Sequence, residues 1–296
     1  AKVISDYLLV QKRLSQLSEG DQSYLKLTNK GKIHGQIITN GANTGRCTHF
    51  KPNLANCVAT GKEYGTEFRS LFYSPADMVF CGIDFSGLEL RVLAHYLCVY
   101  DNGDFSKVLL ENDIHSTNQK LLGLSSRSKA KTFIYAYIYG GGNKRVSEIL
   151  EVDYETAKRI REKFEQKLPA LKLLKDAVIS KFRRLGYIKG LDGRKLIGRA
   201  EFSLLNLLIQ SAGALLVKQG TIILNNDLEE EGFKFGRDYA MVLHVHDEMQ
   251  FIVKEDKIEQ FKVIAEKLFK KTKDHFNFRC QLDGEIKVGR NWSDTH

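Results

Sequence analysis

Two acidic positions far apart in the sequence, Asp84 and Asp247, stand where carboxylates can do chemistry. Asp84 follows the apolar run Val79 to Ile83, which reads as a buried strand. After it come a small-residue corner, Ser86 and Gly87, and then Leu88, Leu90, Val92, Leu93 and Leu97, which fit a helix packed back on a sheet. A carboxylate at the mouth of a strand, beside the amides of a strand-to-helix turn, can hold a metal ion and a phosphate together. Taken alone, such an aspartate is more often a helix cap. The second position changes that balance. In MVLHVHDEMQFIV, residues 241–253, apolar runs flank His246, Asp247 and Glu248, the pattern of a β-hairpin whose turn carries two acids. Hydrophobic strands on both sides would bury that hairpin in a sheet, where unpartnered charges are costly. If the two strands are neighbours, Asp84 and Asp247 converge. Two converging carboxylates can grip two divalent ions about 3.5–4 Å apart for phosphoryl transfer.

A second group lies in RSKAKTFIYAYIYG, residues 127–140. Arg127, Lys131, Tyr135 and Tyr139 are spaced by four and share one helix face. Two cations followed by two aromatics can neutralise a triphosphate and then stack on a sugar and base. The same spacing also describes a helix with a basic first turn and a buried aromatic end. Cations at a helix N-terminus oppose the dipole, which points to a compensating anion. Gly140, Gly141 and Gly142 end the helix and supply a hinge. Arg46, on the glycine-flexed loop TGRCTH, reads either as a solvated charge or as a contact to a nucleic-acid backbone or minor groove. Asn206 and Gln210, four apart beside the small residues Ser211 to Ala214, either cap each other or reach a minor groove.

The elements that must position these residues follow from periodicity. Residues 3–17 predict an amphipathic helix, and 25–57 a hairpin-like stretch with turns at Asn29–Gly31 and Asn40–Asn43. A helix containing His115 precedes the 127–140 helix. Two cationic helices separated by Pro169 fill 154–185, and a basic hairpin fills 186–199. A long helix spans Phe202 to Glu230, the acidic hairpin follows, and another helix covers about 256–273.

Of the 296 residues, 43% are hydrophobic and 27% charged, the composition of a soluble globular protein. No apolar run approaches the roughly 20 residues that cross a bilayer, and the N-terminus has no signal-peptide pattern, so no membrane partner is expected. The five cysteines lack CxxC spacing and read as reduced thiols of an intracellular protein. The net charge of +9 favours a polyanionic partner. The chain starts at Ala1 without methionine, inside a helical pattern, as a fragment or one piece of a divided protein would.

Taken in order, DFSGLELR (84–91), RSKAKTFIYAYIYG (127–140) and VHDE (245–248) resemble motifs A, B and C of the family A, or polymerase I-like, DNA polymerases. TGRCTHFKPNLAN, GLDGRKLIGR, LLNLLIQSAGALL and the terminal RNW…H resemble the bacteriophage T-seven replicative branch of that family. The resemblance implies an α+β fold, a right-hand polymerase with a small antiparallel palm sheet and helical fingers but lacking most of the thumb. It assigns 1–20 to a thumb-base helix, 21–100 and 201–296 to the palm, and 101–200 to the fingers.

The resemblance also implies template-directed transfer of dNTPs to a primer 3′-hydroxyl, with primer–template DNA and dNTPs as partners and two Mg²⁺ ions as cofactors. Asp84, Asp247 and the Phe85 carbonyl would bind the ions, with Glu248 nearby. His115, Arg127 and Lys131 would contact the triphosphate, helped by amides around Ser86, Gly87 and Leu88. Lys131 would protonate the departing pyrophosphate. Tyr135 would pack on the sugar and Glu89 would exclude a 2′-hydroxyl. Tyr139 would hold the template side, while Arg46, Asn206, Gln210 and His246 would touch the primer terminus or minor groove. The family's exonuclease-like domain and thumb precede these motifs, so proofreading is not expected here. A separate exonuclease or thumb chain, or a processivity factor, becomes a further candidate partner, and the host bacterial cytoplasm the expected location. Two alternatives stay open: a DNA-binding subunit inactive by itself, and another palm enzyme such as an RNA polymerase or reverse transcriptase, against which Glu89 argues.

Overall fold

The computed structural model describes residues 2–296; Ala1, at the start of the expected thumb-base helix, lies outside the described residues. The chain opens with α1 (Lys2–Leu14), a π-helical turn (Ser15–Glu19) and α2 (Tyr24–Leu27). Four short strands follow, β1 (Thr28–Asn29), β2 (Lys32–Ile33), β3 (Gln36–Ile38) and β4 (Thr48–Phe50), then α3 (Gly65–Ser70) and the long strand β5 (Met78–Phe85). Next come α4 (Leu88–Asp101), α5 (Asp104–Glu111), α6 (Ile114–Leu122), α7 (Arg127–Ile138), α8 (Asn143–Leu150), α9 (Tyr154–Lys167) and α10 (Pro169–Leu185). A hairpin of β6 (Ile188–Lys189) and β7 (Lys195–Leu196) leads to α11 (Leu204–Glu230). The strands β8 (Tyr239–Val245) and β9 (Glu248–Lys254), the helix α12 (Ile258–His275) and β10 (Gly284–Gly289) complete the order. Small antiparallel sheets among many helices give the α+β class that the sequence implies.

The chain forms two compact units. The first comprises Ala1–Asp84, Gly232–Lys262 and Ile286–His296; the second comprises Phe85–Glu231 and Val263–Glu285. The helices α4 and α11, read from the sequence as parts of palm segments, group with the helices of 101–200.

The first unit is built on a sheet of order β10-β5-β9-β8, in which β5 and β8 both run antiparallel to β9. Alternation along the strands sends Phe80, Leu243 and Val245 into a cluster with Tyr24, Leu54, Phe68 and Trp292. The opposite face carries Phe251 and Tyr239, which pack on Phe261 with ring centroids 5.4 and 6.2 Å away. Covering both faces explains why β5 reads as an unbroken apolar run rather than an alternating one.

In the second unit α4 is the central helix, with Leu88, Leu90, Val92, Leu93 and Leu97 buried. It packs on α5, α10 and α11. The small residues Ser211 to Ala214 of α11, which the sequence placed beside Asn206 and Gln210 as neighbours that would let a minor groove approach if those two reach one, are buried. Gly213 faces Leu88 of α4, and a Cβ there would meet Leu88 Cδ2 at 3.4 Å, an ordinary packing contact. Gly220 allows a still closer approach, because a Cβ there would lie 2.9 Å from Leu268 Cδ1 and 3.1 Å from Phe85 Cζ. The stretch Glu201–Glu230 is, by length and composition, long and apolar enough to cross a membrane, contrary to the sequence reading. Most of that apolar surface is buried inside the protein, as a core helix requires. Pro169 occupies the first turn of α10, where its missing N–H costs nothing, and this is why one proline separates two helices without disrupting either.

Candidate active site

The acid-bearing hairpin has a two-residue turn, His246 and Asp247, closed by the Val245↔Glu248 pair. His246 adopts φ 54, a left-handed conformation that glycine or asparagine accepts more readily, as tight hairpin turns demand. On the other side of β9, Asp84 is the register partner of Glu248. Asp247 is therefore the residue next to Asp84's cross-strand partner. Asp84 is exposed and Asp247 half-buried, so both carboxylates are reachable from solvent.

The donors offered here are carboxylate oxygens, with the main-chain carbonyl of Phe85 one residue on from Asp84. Among the described residues no group of three His, Cys, Asp or Glu side chains is gathered as a metal site. An all-oxygen set with few protein ligands suits Mg²⁺, which keeps several waters and takes substrate phosphates as ligands. The residues present fit such an ion.

Glu248, expected near the ions, stands between the two aspartates as the register partner of Asp84 and the neighbour of Asp247, and its carboxylate is also engaged from beneath. It is buried, and its Oε1 accepts hydrogen bonds from Trp292 Nε1 at 2.8 Å and Gln250 Nε2 at 2.7 Å, with His296 Nε2 at 3.1 Å. Burial works to raise its pKa, but the bonds from His296, Trp292 and Gln250 outweigh it and leave the carboxyl below its ordinary value. Glu248 thus anchors the end of the chain beneath the hairpin. The single tryptophan, in the terminal RNW motif, was the sequence signal for this contact.

In the second unit, α6 and α7 bring together the residues expected to meet a triphosphate. His115 is buried, and its pKa is lowered by burial and then by the charges of Lys131 and Arg127. Its ring lies 6.2 Å from that of Tyr135, which lies 6.3 Å from Tyr139. His115 Nδ1 is buried with no hydrogen-bond partner among the described residues. One face thus presents a neutral imidazole, two cations and two phenols. Ser126 caps α7 by accepting from the Lys129 amide.

Sequence reasoning missed Asp113 in this cluster. Its carboxylate caps α6 at the His115 amide (3.1 Å) and also receives Arg127 Nε at 2.5 Å and Nη2 at 3.2 Å. The Arg127 guanidinium and the Ser116 hydroxyl hold this carboxyl well below the usual carboxylate range. The anion that the basic start of α7 called for is, at least for Arg127, the chain's own. An aspartate two residues before His115, at the start of a helical pattern, was the available signal.

At the start of α4, the Ser86 amide donates to the Asp283 carbonyl at 3.0 Å. This corrects its expected part in a phosphate cradle, since that N–H is already engaged. Gly87 takes φ 58 as the residue before α4, and Leu88 and Glu89 open the helix, where first-turn amides lack intrahelical acceptors. Glu89 is buried and accepts from the Tyr139 hydroxyl at 2.7 Å. Asn206 and Gln210 are half-buried on α11, and Asn206 Oδ1 is buried with no partner among the described residues. In the first unit, Arg46 reaches Asp247, and the exposed His246 repels a charge on His49, whose pKa is lowered chiefly by burial.

A family profile described as DNA polymerase family A matches residues 1–294. The chain is 38% identical to a DNA-directed DNA polymerase of Enterobacteria phage T3 and 39% identical to one of Escherichia phage T7. Each alignment covers 99% of this chain and 46% of the relative, so the chain spans about half the length of the curated relatives it matches. Among solved structures, the fold matches the POL domain of Pol1 from M. smegmatis, in complex with DNA primer-template and dNTP, with a TM-score of 0.85. That match has 21% identity and covers 98% of this chain and 53% of the other. With the ordered motifs, the adjoining acids and these matches in hand, the chain belongs to DNA polymerase family A.

Proposed function

We propose that this chain carries out template-directed DNA synthesis, transferring nucleotidyl groups from dNTPs to a primer 3′-hydroxyl with release of pyrophosphate. The observation that carries the reading is the register Asp84↔Glu248, which brings Asp84 beside the turn that holds Asp247. Asp84, Asp247 and the Phe85 carbonyl would hold two Mg²⁺ ions, which would lower the pKa of the primer hydroxyl and stabilise the pyrophosphate charge. Two carboxylates this far toward solvent can release water and accept such ions without a large desolvation penalty.

The other roles belong to the chain's own side chains. Arg127 and Lys131 neutralise the triphosphate, and Lys131 supplies a proton to the departing oxygen. His115, kept neutral by burial and by its two cationic neighbours, donates a hydrogen bond. The amides of Gly87, just before α4, and of Leu88, in its first turn, add donors. Tyr135 packs on the sugar and Tyr139 holds the template side. Glu89 closes the space that a 2′-hydroxyl would need. Arg46, Asn206, Gln210 and His246 contact the primer terminus and minor groove. Glu248 is a positioning residue: it keeps the acidic turn rigid from beneath.

Primer extension with dNTPs and Mg²⁺ tests this reading. Asp84→Ala or Asp247→Ala should lower the rate on the order of a thousandfold or more. Extension by Asp247→Ala at the wild-type rate would overturn the proposal.

A second reading, that the chain binds DNA but needs a separate thumb, exonuclease or processivity chain to extend it, is favoured by α1. That helix buries no residue, and Val3, Ile4, Tyr7 and Leu8 are all exposed. Tight primer–template binding without extension, restored by an added partner chain, is its expected signature; robust extension by the chain alone would exclude it.

A further inference from the structure

Arg46 stands in a tightly bonded turn between β3 and β4. Its N–H donates to Thr44 Oγ1 at 3.3 Å, its carbonyl accepts from the Ala42 amide at 3.2 Å, and the Gly45 amide donates to the Ala42 carbonyl at 2.9 Å. From this fixed base the guanidinium reaches across the first unit, and Nη2 lies 3.4 Å from Asp247 Oδ1. The two side chains are 20% and 30% exposed, so the pair is partly withdrawn from solvent, where opposite charges attract more strongly than in bulk water. The carboxylate assigned above to a divalent ion therefore already faces a positive charge supplied by the chain.

We infer that Arg46 is a place-holding counter-ion for Asp247. In the DNA-free protein it neutralises the carboxylate and weakens its hold on a divalent cation, and cation binding and withdrawal of the guanidinium are one exchange. A dication brought to Asp247 while Arg46 remains meets Coulomb repulsion at short range; once the guanidinium turns to another anion, that opposition is gone. On the reading above, in which Arg46 contacts the primer terminus, a primer phosphate would offer such an anion. DNA and the divalent ion then favour each other's binding through a single side chain, and the coupling is necessarily reciprocal. This rests on the reading of Asp247 as a metal ligand made above.

The test is a titration of the DNA-free chain with Mn²⁺, free ion being measured by electron paramagnetic resonance, which reads binding and not synthesis. Arg46→Gln keeps a polar but shorter side chain without the charge and should bind Mn²⁺ roughly fivefold more tightly, the low end of typical site-to-site coupling. Arg46→Lys keeps the charge and should stay close to wild type. Adding a primer–template duplex should tighten Mn²⁺ binding in wild type and do so less in Arg46→Gln. Asp247→Asn separates the two levels of the argument. If it binds Mn²⁺ as well as wild type, Asp247 is not a ligand and the functional reading fails. If it binds weakly while Arg46→Gln binds no more tightly than wild type, only the counter-ion inference is overturned. Circular dichroism on each variant identifies a folding defect, and for the inference to stand Arg46→Gln has to bind Mn²⁺ more tightly than wild type while Arg46→Lys stays close to it.

Discussion

The hydroxyl of Tyr139 donates to Glu89 Oε2 at 2.7 Å, tying the end of α7 to the first turn of α4. A buried carboxylate held in this way has little freedom to step aside for an extra hydroxyl. Glu89→Ala should therefore raise incorporation of ribonucleotides relative to deoxyribonucleotides by about tenfold or more, the scale on which a shaped pocket rejects one added group. Tyr139→Phe should relax the selection less, since the carboxylate stays but loses a partner. Competitive extension with matched rNTP and dNTP measures both. An unchanged preference in Glu89→Ala would argue against the gate.

Tyr135, on the face shared with His115, Arg127 and Lys131, should use its hydroxyl to replace the 3′-hydroxyl that a dideoxynucleotide lacks. Tyr135→Phe is expected to increase discrimination against dideoxynucleotides by about tenfold or more, the effect of leaving a polar group unmatched. Chain-termination ratios provide the measurement, and equal ratios for the two proteins would contradict it.

Trp292 donates to a buried carboxylate through its indole N–H, 2.8 Å from Glu248 Oε1. Trp292→Phe removes that donor while keeping an aromatic ring against Phe72 and Arg69. The expected loss of stability is about 1–3 kcal/mol, the cost of leaving a buried acceptor short of a partner. Urea unfolding reads it directly. A loss below about 0.5 kcal/mol would mean that Gln250 and His296 satisfy Glu248 by themselves.

Acid should weaken the second unit through His95. Its ring stacks on Phe278 with centroids 4.3 Å apart, and Nδ1 accepts from the Arg279 amide at 3.0 Å. Burial, reinforced by the charge of Arg279, lowers its pKa from 6.5 to about 4. The folded state then binds this proton less readily than the unfolded chain. The contribution to stability is complete above pH 6.5 and is lost as the pH falls toward 4. Over that window the effect is on the order of 3 kcal/mol. Denaturation midpoints between neutral pH and pH 4 should show it, with a shallower slope in His95→Asn, whose amide oxygen still accepts but does not titrate in this range. Identical slopes would assign the acid sensitivity to other groups.

Local chemistry is written plainly in this chain. The apolar run before Asp84, the acid-bearing turn at Asp247 and the four-residue spacing from Arg127 to Tyr139 each specify an element from neighbours in sequence, because strand and helix periods are short-range properties. Pro169 and the glycines after α7 mark boundaries for the same reason. The individual elements were therefore legible in the sequence, while the fold class came from the resemblance that the ordered motifs carry.

What tertiary structure decided was which groups are already engaged. The Ser86 amide is bonded to Asp283, Arg127 to Asp113, Glu248 to Trp292 and His296, and Asp247 to Arg46. Apart from Arg127 with Asp113, these partners lie far apart along the chain, and no periodicity relates them. The same holds for Ser211 to Ala214, whose small side chains suit close approach by any surface until α4 is seen packed there. Sequence determined the residue types and their local spacing, because those depend on backbone geometry alone. Only the folded chain could settle which charges and donors meet, since that depends on register and packing between distant segments.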